Sequence, residues 1–221
     1  MLLKALITKL KMFRRIHSVY PRIFPGCDIR SILPTTVEKL IGEDVRVETG
    51  VLVSDHLRHL GNHVYIGRNT MFMNCSSVGS FTSISHDVKV GLMDHPSHFI
   101  GTSTLFFEMR RGWAQEEAEH LRINSQSVEI GSDVLISSNA MVRVGVKINH
   151  GAIVGAGAFV NEDVPAYAIV AGVPARIIRY RFDEQLIKRL LESKWWEMDD
   201  KSIRRAGHFD NPDQFLKELG K

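Results

Sequence analysis

The stretch VEIGSDVLISSNAMVRVGVKINHGAIVGAGAFVNEDVP, Val128 to Pro165, decides the fold. It reads in blocks of six that open at Ile130, Ile136, Val142, Ile148, Val154 and Val160. The second position of each block is small or polar: Gly131, Ser137, Arg143, Asn149, Gly155, Asn161. The fifth is always Val or Ala: Val134, Ala140, Val146, Ala152, Ala158, Val164. An amphipathic helix repeats near 3.6 residues and a strand near two, so neither gives a period of six. A solenoid does. Each block forms one short flat side of a coil, with the aliphatic residue inward and polar residues at the corner.

The same rhythm runs upstream, in blocks opening at Ile41, Val47, Leu60, Ile66, Val78 and Ile84, with a slip of one residue before Leu60. It stops at Gly91 and resumes near Val128. Residues 92–127 are therefore an excursion from a rigid scaffold, a common place for function. The expected division is an N-terminal extension over 1–40, a solenoid over 41–181 and a helical tail over 182–221.

The chain has 221 residues, enough to bury a full core. Its net charge of +3 is uneven: residues 1–40 carry eight Lys/Arg against Asp28 and Glu38, leaving the rest acidic. No basic cluster interleaves with aromatic residues, which argues against nucleic-acid binding. Two cysteines, Cys27 and Cys75, give no disulfide framework and suit a reducing cytoplasm. Lysines and arginines interrupt the apolar start, so neither a membrane span nor a signal peptide is expected.

Residues 1–18 read as an amphipathic helix with Leu3, Leu6, Ile7, Leu10, Phe13 and Ile16 on one stripe. Such a helix caps the solenoid or a neighbouring subunit, or lies on an anionic membrane as a peripheral contact. His56, His59 and His63 lack zinc-site spacing and read as solvated corner residues, so no metal is expected. Gly155-Ala-Gly157 lacks the third glycine and the following helix of a dinucleotide loop; its small residues instead let another molecule approach the backbone. Arg176, Arg179 and Arg181 cluster after Gly172-Val-Pro174 and suit either phosphate or a solvated face. Asp183 caps a predicted helix reaching about Trp196, and Asn211-Pro212 opens a last short one. In the excursion, His95 and His98 are each a polar loop residue or a general base.

Several pieces together carry a family resemblance: Val78-Gly-Ser-Phe-Thr-Ser-Ile84, Val90-Gly-Leu-Met-Asp-His-Pro96, Val128-Glu-Ile-Gly-Ser-Asp-Val134, Val154-Gly-Ala-Gly-Ala158, Asp163-Val-Pro-Ala-Tyr-Ala-Ile-Val-Ala-Gly-Val-Pro-Ala-Arg176 and Leu190-Leu-Glu-Ser-Lys-Trp-Trp196. The chain resembles the hexapeptide-repeat acyltransferases, closest to the xenobiotic and polysaccharide O-acetyltransferase branch. The resemblance implies a mainly β fold: a left-handed parallel β-helix of hexapeptide repeats with an excursion loop, an N-terminal helix and C-terminal helices. Its handedness comes from the resemblance alone, since parallel crossovers are ordinarily right-handed. A homotrimer is implied, with active sites between neighbouring solenoids and acetyl-CoA as acyl donor.

By motif position, the resemblance makes His95 the general base. It lines the coenzyme with Ser138, Ala156, Asn161, Arg176 and Arg179, and puts Asn74 and His98 near the acceptor. Leu135 replaces the family's usual Trp, and Glu162 its usual Lys. The implied reaction is direct transfer of acetyl to a hydroxyl, without an acyl-enzyme at Cys75. The basic start favours a cell-envelope glycan or its precursor as acceptor, handled by a cytoplasmic enzyme at the inner face of the membrane. A chloramphenicol- or streptogramin-type drug and a sugar amine are alternatives. So are a three-histidine zinc carbonic anhydrase of the same fold and a non-catalytic β-helix.

Overall fold

A computed structural model describes residues 24, 26–34, 41–111, 113–114 and 126–221. The expected helix over 1–18, its membrane contact, and most of the charged segment from Arg110 to Leu121 lie outside the described residues.

The period of six appears as three parallel sheets wound around one core. The eight-stranded sheet lines up Ile29, Val47, Ile66, Ile84, Ile136, Val154 and Val170 as neighbours from coil to coil. The five-stranded sheet stacks Val53, Phe72, Val90, Val142 and Val160. The four-stranded sheet stacks Leu60, Val78, Ile130 and Ile148. With the single exception of half-buried Val53, every one of these side chains is buried. The structure is thus a parallel β-solenoid of about seven turns, consistent with a left-handed β-helix. Among the described residues no helix is long and apolar enough to cross a membrane.

Local chemistry explains the departures from strict repetition. Pairing already begins at Asp28–Ile29, ahead of Ile41. The slip before Leu60 is absorbed at Ser54–Leu57, where Leu57 turns its whole side chain into the core. Thr70 and Thr82 take the fifth position of two blocks although both are fully buried. Each hydroxyl donates to a carbonyl, Ser85 O and Gly131 O, at 2.9 Å, so neither polar group is orphaned.

The coil closes with a strand, Arg176–Tyr180, that runs antiparallel to Ala168–Ala171. Three helices follow: α1 (Glu184–Ser193), α2 (Asp200–Ala206) and α3 (Pro212–Glu218). Asp183, Asp199 and Asn211 cap them by accepting from backbone N–H groups of Leu186, Ser202 and Gln214. The first helix stops at Ser193, short of the expected Trp196. Lys194 turns into the left-handed region, φ 46°, and lets Trp196 stack on His150 at 4.3 Å. Helix α2 was not legible as a helix, although Asp199 ahead of Ser202 is its capping signal.

The helices dock on one corner of the solenoid, between the four- and eight-stranded sheets. His63, Phe81 and Asp133 stand there on successive coils, with Gly151 on the next and Tyr167 on the one after, all with positive φ. Phe81 stacks on His63 at 4.7 Å and meets Trp195 at 5.1 Å. His63 is not the solvated corner residue that its spacing suggested. Its ring is held at 3.3 Å from Asp44 on the coil below and 2.8 Å from Asp200 of α2. Burial disfavours the charged ring, but the bonds to Asp200 and Asp44 outweigh it, and the His63 pKa ends above its ordinary value. A raised pKa stabilises fully below the unfolded value, about 6.5, and the contribution is lost as pH rises through the folded value. The melting temperature should therefore fall as pH rises above about 6.5, more steeply than in His63→Gln. Parallel pH profiles for the two proteins would contradict this clamp.

Candidate functional site

The excursion leaves the five-stranded sheet after Lys89–Leu92 and returns at Val128. Two contacts fix its root. Gly91 has φ +83°, and a Cβ there would meet Asn74 N at 2.4 Å. Asn74 is buried, accepts from Ser127 Oγ at 2.9 Å through Oδ1, and accepts from Val128 N at 3.0 Å through its carbonyl. Both ends of the loop are thereby tied to one residue. Farther out, Arg143 Nε donates to Asp94 Oδ2 at 2.6 Å and anchors the outgoing limb to the next coil.

His95 stands just past that anchor. Its Nδ1 lies 2.7 Å from Thr102 O, and its ring meets the buried Phe107 edge-on at 5.3 Å. A carbonyl oxygen can only accept, so Nδ1 carries the hydrogen. The neutral ring then has its lone pair on Nε2, and the residue is exposed. Tautomer and ring plane are both set, which is what a general base requires of its support. His98 is exposed, and its ring meets Phe99 at 4.9 Å.

Ser138 and Ala156 sit one above the other on the corner between the eight- and five-stranded sheets, where Gly157 N donates to Ser138 O at 3.0 Å. Ala156 and Gly157 are exposed, and nothing stands within 4 Å of a Cβ added at Gly157. Asn161 follows on the next sheet, and its Oδ1 is buried with no hydrogen-bond partner among the described residues. The closing strand lies alongside, with Ala175 N donating to Phe159 O at 2.7 Å. Arg176 and Arg179 extend from it into solvent; among the described residues their guanidinium groups donate to the nearby carbonyls of Ala175 and Tyr180, and Arg176 lies 3.8 Å from Glu162. Such an exposed pair contributes little energy, so both guanidinium groups are available to an anion. Arg181 differs from the sequence-based expectation: its Nη1 donates to Asp133 Oδ2 at 2.7 Å and to Gly151 O at 2.8 Å, which commits it to the helix-docking corner.

Cys75 is fully buried, and burial pushes its thiol up to about 12, so it offers no thiolate at neutral pH. No group of three or more His, Cys, Asp or Glu side chains converges on a metal-sized site among the described residues. Leu135, in the place of the usual Trp, faces outward beside Ser83 and Ile153.

No family model matches the chain. Among curated proteins it is 33% identical over 147 residues to a probable macrolide acetyltransferase of Lysinibacillus sphaericus, a match covering 65% of this chain and 78% of that one. It is 38% identical over 135 residues to a chloramphenicol acetyltransferase of Escherichia coli, covering 60% of this chain and 64% of that relative's length. Among solved structures, a hexapeptide-repeat containing acetyltransferase of Vibrio cholerae, complexed with acetyl coenzyme A, shares the fold: TM-score 0.52, 20% identity, 78% of this chain and 84% of that one.

Proposed function

The chain belongs to the hexapeptide-repeat acetyltransferase family, and on that premise we propose that it transfers acetyl from acetyl-CoA to an acceptor hydroxyl with His95 as general base. The observation that carries this reading is the 2.7 Å contact of His95 Nδ1 with Thr102 O, which leaves Nε2 as the basic atom. Acetyl-CoA supplies the activated acetyl group. His95 Nε2 takes the hydroxyl proton as the acceptor oxygen attacks the thioester carbonyl, then gives it to the departing thiolate. The backbone N–H near Ser138 is the proposed donor to the developing oxyanion.

Small residues at Ala156 and Gly157 admit the coenzyme close to the backbone, and half-buried Asn161 is taken to line the same stretch. Arg176 and Arg179 face its phosphates. Single replacement of either by Ala should raise KM for acetyl-CoA several-fold and leave the melting temperature unchanged. Arg181→Ala should do the reverse. It strands Asp133, costs about 2–3 kcal/mol of stability, and leaves KM as it was. Equal effects of the three substitutions would sink this division of labour.

Asn74 holds the loop root and His98 lies toward the acceptor. Two faces of the coil carry largely apolar outward rows: Tyr65, Leu135, Ile153 and Ile169 on one, with Asp28, Arg46 and Ser83 in the same row, and Leu52, Met71, Met141 and Phe159 on the next, with Lys89 among them. The third presents His59, Ser77, Glu129 and Lys147. Two mainly apolar faces and one polar face suit a homotrimer with the acceptor cleft between copies.

The first acceptor is a sugar hydroxyl of a cell-envelope glycan or its precursor. It would be modified on the cytoplasmic side. A second reading, a drug such as chloramphenicol or a macrolide, is favoured by the loop itself. Ile100 is 96% and Trp113 66% exposed, and Met93 and Met109 of the same loop are exposed as well. Thiol release from acetyl-CoA across glycans, sugar nucleotides and these drugs separates the readings. Release with none of them would overturn both.

A further inference from the structure

The corner that holds Ser138 and Ala156 continues toward the N-terminal end of the solenoid. On each coil the residue in the left-handed region donates its N–H to a carbonyl of the coil before: Gly157 to Ser138, Asn139 to His86, Asp87 to Arg68 and Asn69 to Thr49, at 2.9–3.3 Å. Thr49, Arg68, His86, Ser138 and Ala156 therefore take the same place on successive coils. Neighbouring strands stand about 4.8 Å apart, so His86 lies roughly 5 Å and Arg68 roughly 10 Å from Ser138 along the coil axis.

Arg68 and His86 are exposed, and so is Lys89, which points outward from the five-stranded sheet just past the same corner. Among the described residues none of these three side chains has a carboxylate within 4.0 Å or a hydrogen bond of its own. Arg30, Arg46 and Arg143 differ, each lying within that distance of Asp28, Asp44 and Asp94 in turn. Asp87, the carboxylate carried by the same corner, accepts from Asn69 Nδ2 at 3.2 Å. Two permanent cations and an imidazole, none with a counterion, make this stretch a collector of anions. The coenzyme's phosphates do not supply that anion in the acetyl-transfer reading, because the coenzyme extends from Ser138 the other way, toward Arg176 and Arg179.

Resting on that reading, we propose that the acceptor is a phosphorylated sugar, with its phosphate held by Arg68, His86 and Lys89 while its hydroxyl meets the acetyl group beside Ser138. The separation along the corner is the span of a sugar ring between a hydroxyl and a phosphate on the anomeric oxygen. Arg68 takes two phosphate oxygens through its planar fork, and His86 and Lys89 donate to the remaining lone pairs. These three residues set which acceptor is used and take no part in the proton transfer. A neutral finished glycan, or a neutral drug such as chloramphenicol, leaves all three unused.

The test is steady-state thiol release from acetyl-CoA by the full chain. Glucose, galactose, mannose and N-acetylglucosamine are each offered as the α-1-phosphate and as the neutral methyl glycoside. At least one phosphate should be used with a kcat/KM about 10- to 100-fold above that of its glycoside. Arg68→Gln should raise KM for that phosphate about 10-fold or more, with kcat, KM for acetyl-CoA and the melting temperature nearly unchanged. Lys147→Gln, which removes the same charge from the four-stranded sheet, should leave every one of these values as it was. Equal use of phosphate and glycoside, an unchanged KM in Arg68→Gln, an equal loss in Lys147→Gln, or thiol release with a neutral drug alone would each overturn the proposal and leave acetyl transfer standing. Thiol release with no acceptor of any kind would overturn acetyl transfer itself and this proposal with it.

Discussion

His95→Ala is expected to lower kcat for acetyl transfer by about 10²–10⁴-fold, the usual contribution of a positioned general base. An alcohol is a weak nucleophile at neutral pH, and its proton must leave as the new bond forms. In this loop the proton can go to Nε2, because the contact with Thr102 O fixes the hydrogen on Nδ1 and Phe107 sets the ring plane. Alanine removes the base without touching Ser138, Asn161, Arg176 or Arg179, so KM for acetyl-CoA should change by no more than about twofold. The imidazole is exposed, and its loss should leave the melting temperature nearly unchanged. The measurement is steady-state thiol release with the acceptor found in the panel, beside a thermal melt. A kcat within a few-fold of the parent would remove His95 from the chemistry.

Gly91→Ala should cost about 3–5 kcal/mol, the largest stability loss expected of a single methyl group here. Two penalties coincide. At φ +83° an L side chain is strained, and the new Cβ would sit 2.4 Å from Asn74 N, 2.5 Å from its O and 2.8 Å from its C. Those are backbone atoms, already held by Val128 N and flanked by the Ser127–Asn74 bond, so they cannot swing aside. For a chain of this size the loss is a fall of about 10 °C in melting temperature. Gly157→Ala is the control: its φ is +68°, yet nothing lies within 4 Å of the added atom, and about 1 kcal/mol is expected. Similar melts for the two would show that the contact with Asn74 carries no weight. The same substitution should loosen the root that holds His95, so activity should fall further than the unfolded fraction explains.

What was legible in the residues was whatever repeats locally. An inward aliphatic side chain every six residues is a short-range constraint, and each such residue from Ile130 to Val160 is buried as read. The phase of the repeat also located the slip before Leu60 and the excursion, because a broken period marks where the chain leaves the coil. Caps at Asp183 and Asn211 were readable for the same reason, since a side chain and an N–H three residues apart make the bond.

Tertiary structure decided the partners of residues far apart in the chain. His63 and Asp200 are separated by 137 residues, and no spacing announces that they meet. Arg181 looked equivalent to Arg176 and Arg179 in sequence. Only the fold, by stacking Asp133 and Gly151 beneath it, turned one of the three into a structural tie. Asn74 became the pin of the excursion because the return strand at Val128 lands beside it. The sequence by itself therefore determined the coil, its interruption and the histidine carried there. The tertiary structure determined which polar groups are spent on holding helices and loop in place, because that depends on which coils stack and no local pattern records it.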